Sequence, residues 1–178
     1  METNHFQSLG IEPVLTLDLE TLRDSYQKIA AENHPDQGGD KTTFDAINLA
    51  YNTLRSPAKR LKHYMELKGI EYDSRGSVTS DLMDLFMSVG ETLQKTDAFL
   101  RKKSAATTAL AKALLEPESM LLQETLGSEI SKIEEKQNAY LNRLTDSPEI
   151  NDLPQITRNL AFLEKWHAQL QQSYAGLF

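Results

Sequence analysis

Apolar residues in this chain recur at steps of three and four and nowhere alternate with polar ones over a run, so the pattern predicts helices and no strands. A short helix is expected from about Asn4 to Leu9, ended by Gly10. The next spans about Leu19 to Asn33, where Leu19, Leu22, Tyr26 and Ile29 form one buried stripe and Asp18 is the N-cap. Pro35 cannot continue that helix, so the chain turns at His34. A third helix, about Thr42 to Arg55, aligns Phe44, Ile47, Tyr51 and Leu54. Two amphipathic helices with a short loop between them are expected to pack as an antiparallel hairpin. Ser56-Pro57 then starts a fourth helix, serine as cap and proline in the first turn, which carries Leu61, Tyr64 and Leu67 and ends at Gly69.

Residues 71–79 are polar and read as a connection between an N-terminal domain, 1–70, and a C-terminal helical one, 80–178. From Ser80 the stripe is Leu82, Leu85, Phe86, Val89 and Leu93. Residues 97–145 are helical in character, with a break expected at Glu116-Pro117 and a turn over Asp146 to Pro154. In the last helix Ile156, Leu160, Leu163, His167, Leu170 and Tyr174 step by four and three, a coiled-coil-like repeat suited to a small bundle.

Composition narrows the chemistry. The 178 residues are 39% hydrophobic and 25% charged, as in a globular protein. No apolar run approaches the roughly 18–20 residues that cross a bilayer. Met1-Glu2-Thr3-Asn4 lacks the basic and apolar regions of a secretory signal, and a cytoplasmic location is expected. With no cysteine there is no disulfide, thiolate metal site or cysteine nucleophile. A net charge of −7 argues against nucleic acid as the main partner. The histidines His5, His34, His63 and His167 have no metal-ligand spacing, no serine sits in a nucleophile elbow, and no glycine loop could cradle a phosphate. Glu134-Glu135 lies among Lys132 and Lys136 on what reads as a solvated face. No enzyme, cofactor, metal or membrane partner is expected.

One motif stands out. His34-Pro35-Asp36 sits in the loop between two matched amphipathic helices. With Phe6-Gln7-Ser8-Leu9-Gly10 before it, Leu22 and Tyr26 on the preceding helix and Ala50-Tyr51-x-x-Leu54 after it, the segment resembles the J domain, which stimulates the ATPase of DnaK-class heat-shock chaperones. The resemblance implies that His34, Pro35 and Asp36 dock on the chaperone. Tyr26, Arg23 and Lys28 belong to the helix that would meet it, although both charges also fit an ordinary solvated face. Proline stiffens such a loop, aspartate supplies an acceptor for a charged donor, and histidine donates in either protonation state. The stretch just before the tripeptide, Ala30-Ala31-Glu32-Asn33, is less basic than in many J domains, which leaves Lys41, Arg55 and Lys59 as further docking charges.

Ala50 to Arg60, the later Tyr64-x-x-x-x-Gly69, and Leu160-Ala161-Phe162-Leu163-Glu164-Lys165 with its end in Leu177-Phe178 are similar to HscB, the J-protein family of iron–sulfur cluster assembly. That resemblance implies an all-α protein in which a C-terminal three-helix bundle follows the J domain. It also implies two partners, a DnaK-class (HscA-like) chaperone and an iron–sulfur scaffold protein (IscU-like) held by an apolar patch. The implied client residues are Met83, Met87, Phe162 and Trp166, two i,i+4 pairs off the core stripes. Because a three-helix bundle buries two faces of each helix, Trp166 fits the core equally well. The sequence departs from the family at Gln37-Gly38-Gly39-Asp40, in place of a lysine and a longer loop, and in the alanine-rich 104–113 with Pro117. Two other readings stand beside this one: a J protein with a different client, and a structural adaptor whose J-like hairpin does not signal.

Overall fold

A computed structural model describes residues 4–145 and 152–178, and among these every regular element is helical. The helices are α1 (His5–Ser8), α2 (Leu19–Glu32), α3 (Lys41–Leu54), α4 (Pro57–Lys68), α5 (Met83–Ala105), α6 (Ala109–Thr145) and α7 (Leu153–Gly176). None is long and apolar enough to cross a membrane. The chain divides into two compact units, residues 1–76 with 141–161, and residues 77–140 with 162–178. The expected turn over Asp146 to Pro154 lies mostly outside the described residues, and α7 begins at its end.

The first unit is set by local capping. The Asp18 carboxylate accepts from the Thr21 N–H and hydroxyl, both at 2.8 Å, and Asp40 does the same for Thr43 at 2.9 and 3.0 Å. Ser56 caps α4 with Pro57 in its first turn, and Gly69 ends it at a φ of 67° that L side chains resist. Phe6, Leu9, Leu22, Ala30, Ile47, Ala50 and Leu54 form the core among α1, α2 and α3. Tyr26 meets Asn48 and Tyr51, the pairing that an antiparallel hairpin turning at 33–40 requires. Leu19, expected in the buried stripe, is exposed. In that register its partner would lie at about residue 55, where α3 has already ended. Leu67 is also exposed, on the last turn of α4. Arg60 is buried and donates to the carbonyls of Leu54 (2.8 Å) and Leu15 (3.2 Å), placing a cation at the C-terminus of α3.

A histidine pair joins α1 to α4. The backbone N–H of His5 donates to Nε2 of buried His63 at 3.0 Å, and Nδ1 of His63 lies 3.5 Å from the Glu66 carboxylate. Burial, then the proximity of His63, hold the His5 pKa below its ordinary 6.5, with Glu66 opposing. A lowered folded-state pKa means the unfolded chain takes up the proton first, so this contribution is complete above about pH 6.5 and fades as pH falls below it. Thermal melts at pH 7.5 and 5.5 should show the lower midpoint at pH 5.5, and His5→Gln should shrink the difference.

In the second unit the buried positions on α5 and the turn before it are Leu82, Leu85, Val89, Thr92, Thr96 and Phe99, at steps of 3-4-3-4-3. The hydroxyl of Thr96 donates to the carbonyl of Thr92 at 2.8 Å, so it costs little to bury. This corrects the expected stripe: Phe86 is exposed and Leu93 half-buried, because two threonines occupy the positions that a search for apolar residues skips. Ser119, Leu122, Leu126, Ile130, Ile133 and Tyr140 of α6 and Leu163, Trp166, Leu170 and Leu177 on and just beyond α7 complete the buried set. Buried Glu129 is held by Ser88 (2.9 Å) and Lys132 (2.8 Å). The expected break at Glu116-Pro117 is absent, since α6 runs through Pro117. The interruption comes at residues 106–108, where the Thr108 hydroxyl caps the Ala111 N–H at 3.1 Å. Inside α6 the proline removes one intrahelical hydrogen bond, which the rest of a 37-residue helix outlasts.

Candidate functional site

The loop from Asn33 to Asp40 is a tightly braced turn. His34 is extended, and Pro35–Gln37 make a single 3-10 turn for which His34 is the cap, its Nδ1 accepting the Asp36 N–H at 3.2 Å. An accepting Nδ1 leaves the ring proton on Nε2. The His34 ring stands edge-on to Phe44, centroids 5.1 Å apart. The carbonyl of His34 accepts from the N–H groups of Gln37 (2.9 Å) and Gly39 (3.1 Å), and that of Pro35 from Gly38 (3.0 Å). With the N–H groups of residues 36–39 bonded within the turn, the Asp36 side chain reaches solvent at 89% exposure, 3.7 Å from His34 Nδ1.

The two glycines after the tripeptide serve different needs. Gly38 has a φ of 86°, in the left-handed region. Gly39 lies against the backbone of Asn33, where a Cβ would stand 2.1 Å from the carbonyl oxygen. Gly39→Ala must therefore displace the turn. We expect it to cost roughly 1–3 kcal/mol in denaturant unfolding.

Beside the turn is an open cleft of about 550 Å³, walled by Tyr26, Gln27, Ala30, Ala31 and Phe44, with His34, Asp36 and Gln37 at one end. Tyr26 is fixed by donating to Asn48 at 2.7 Å and by stacking on Tyr51 at 4.2 Å. Of the two expected basic residues, Arg23 shares the cleft face with Gln27 and Ala30, whereas Lys28 lies about 140° round the helix from it. Arg23 is 3.8 Å from Glu20 on the surface. Arg55 lies 6.0 Å from the Tyr51 ring centroid. The sequence reading did not single out Gln27, Ala30, Ala31 or Phe44 as walls. The available signal was a pair of small residues one turn before the tripeptide.

In the second unit, Met83, Phe86 and Met87 are 43%, 49% and 60% exposed on neighbouring positions of α5. The Phe86 ring lies 5.6 Å from that of Trp166, and Phe162 lies 5.9 Å from the same indole. Phe162 is half-buried. Trp166 is only 5% exposed and keeps the 3-4 core spacing with Leu163 and Leu170, so it supports the patch from beneath instead of forming its surface. Phe86 is the surface residue that sequence reasoning assigned to the core.

These features have counterparts in known proteins. The DnaJ domain family model matches residues 4–64. A co-chaperone protein HscB homolog of Shewanella loihica is 25% identical over 98% of this chain and 99% of its own. An HscB homolog of Neisseria meningitidis serogroup A is 30% identical over 54% of this chain, a match spanning 64% of that protein. The solved chaperone HscB from Vibrio cholerae shares the fold, with a TM-score of 0.64, 20% identity, and coverage of 99% of this chain and 100% of the other. A J domain around the braced tripeptide and an HscB relative aligned from end to end make this chain an HscB-like J-domain protein.

Proposed function

We propose that the protein is a cytoplasmic co-chaperone of iron–sulfur cluster assembly. It accelerates ATP hydrolysis by an HscA-like DnaK-class chaperone and delivers an IscU-like scaffold protein to it. The observation that carries this reading is the exposed Asp36 carboxylate on a turn whose N–H groups from Asp36 to Gly39 all donate within the turn. Such an acceptor docks on a cationic donor with little ordering cost. The adjoining cleft, lined in part by the small side chains of Ala30 and Ala31, receives a partner side chain beside the tripeptide.

Residues 1–70 would then signal to the chaperone, and the bundle within 80–178 would hold the client through Met83, Phe86, Met87 and Phe162. Methionines are flexible and polarisable, and aromatic residues beside them supply contact area. Having no cysteine, the chain offers no thiolate to a cluster, so cluster ligands come from the scaffold. Calorimetric titration of an IscU-like scaffold into the full chain tests the client assignment. Saturable one-to-one binding, unchanged in Asp36→Asn, is expected. Absence of binding by a folded chain would point to a different client.

A further inference from the structure

Residues 71–79 have the polar composition of a flexible linker, yet part of this connection is wrapped on a single side chain of α7. Nη2 of Arg158 donates to the carbonyl of Asp73 at 2.9 Å, across 85 residues of sequence, while Nη1 donates to Gln155 at 2.6 Å within the helix. Gly76 lies against the guanidinium itself, where a Cβ would stand 2.8 Å from Nε and 2.9 Å from Cζ. Arg158 Nε is buried, without a hydrogen-bond partner among the described residues. An arginine that only solvated the helix would keep that donor in water, so its burial marks a packed contact. Burial holds the Tyr72 hydroxyl above its ordinary pKa of 10, with Arg158 opposing. Between these residues Arg75 folds back on Asp73, its backbone N–H donating to the carboxylate at 2.8 Å and its Nε at 3.3 Å. The connection up to Gly76 and α7 up to Ala161 belong to the same compact unit.

These contacts make the connection a strap, and its position gives the strap a use. It leads out of the J domain, and Phe162 of the proposed client patch follows Arg158 by four residues on α7. We propose that Arg158 is a positioning residue that clamps the connection to α7, holding the J domain to a helix that also carries the client; the role rests on the function proposed above. A free tether would spread the docking loop over many orientations and lower the effective concentration of one partner beside the other. Arg158 itself touches neither partner in this role.

Trypsin cleavage after Arg75, followed by mass spectrometry, tests the clamp, since that side chain is 92% exposed and only the backbone around it is held. The unaltered chain should be cut there at least about 100-fold more slowly than a free peptide of residues 70–80, because cleavage requires local opening. Arg158→Gln should speed the cut at least about tenfold with the helical circular dichroism unchanged. A rate in the unaltered chain equal to the peptide's, a comparison that needs no variant to fold, overturns the clamp. So does an equal rate in the two proteins. ATP hydrolysis by an HscA-like chaperone tests the use of the clamp. Arg158→Gln should keep stimulation by the chain alone and its affinity for an IscU-like scaffold, while the greater than additive increase with scaffold falls to an additive one. Full retention of that increase overturns the positioning role. Its absence from the unaltered chain counts instead against the proposed function, and the proteolysis still decides the clamp.

Discussion

Asp36→Asn is expected to reduce stimulation of the chaperone ATPase roughly 10- to 100-fold, the equivalent of one charge-assisted hydrogen bond of about 1.5–3 kcal/mol. The same substitution should leave the melting temperature unchanged. The turn uses the backbone N–H of Asp36, which asparagine keeps, and the carboxylate itself is 89% exposed. His34 is a less selective probe. Its Nδ1 caps the turn and its ring packs on Phe44, so His34→Ala removes a structural bond together with any docking contact. About 1 kcal/mol of stability should go with it, in the range of a lost N-cap. Single-turnover ATP hydrolysis and thermal melts on both variants separate the two effects.

Met87→Asp is expected to weaken scaffold binding by about tenfold to a thousandfold, since a central apolar contact contributes about 2 kcal/mol or more and a carboxylate buried in its place loses its water. Folding should be unaffected, because Met87 is the most exposed residue of the patch. Phe86→Ala should behave in the same direction. Trp166→Ala should instead cost about 3–5 kcal/mol of stability, as expected for a buried aromatic side chain. Titration calorimetry with the scaffold, paired with denaturant unfolding, distinguishes a surface contact from its support.

Helix ends of the first unit were legible from local signals, Asp18 and Ser56 before α2 and α4 and Pro35 and Gly69 after them, whereas the Asp40 cap of α3 emerged only in the structure. The tripeptide was legible for the same reason, lying where two stripes had to pack. The second unit was harder to read. Thr92 and Thr96 hold core positions while Phe86 faces solvent, so hydrophobicity alone placed α5 about one position off. Pro117 looked like a helix end, yet one missing hydrogen bond does not stop a helix supported along the rest of its length. Trp166 could not be assigned from spacing, because it sits on a stripe in one register and beside it in another. The glycines after Asp36 looked like a departure from the family pattern. The turn needs one for its φ and the other for its approach to Asn33.

In the proposed function one chain couples a client to a chaperone through His34-Pro35-Asp36. Steady-state ATP hydrolysis by an HscA-like chaperone, measured with the full chain and an IscU-like scaffold separately and together, tests it most directly. Stimulation by the chain alone is expected, with a greater than additive increase when scaffold is present and loss of both when His34, Pro35 and Asp36 are replaced by alanine. Undiminished stimulation by the alanine variant, or no stimulation by the unaltered chain, would contradict it.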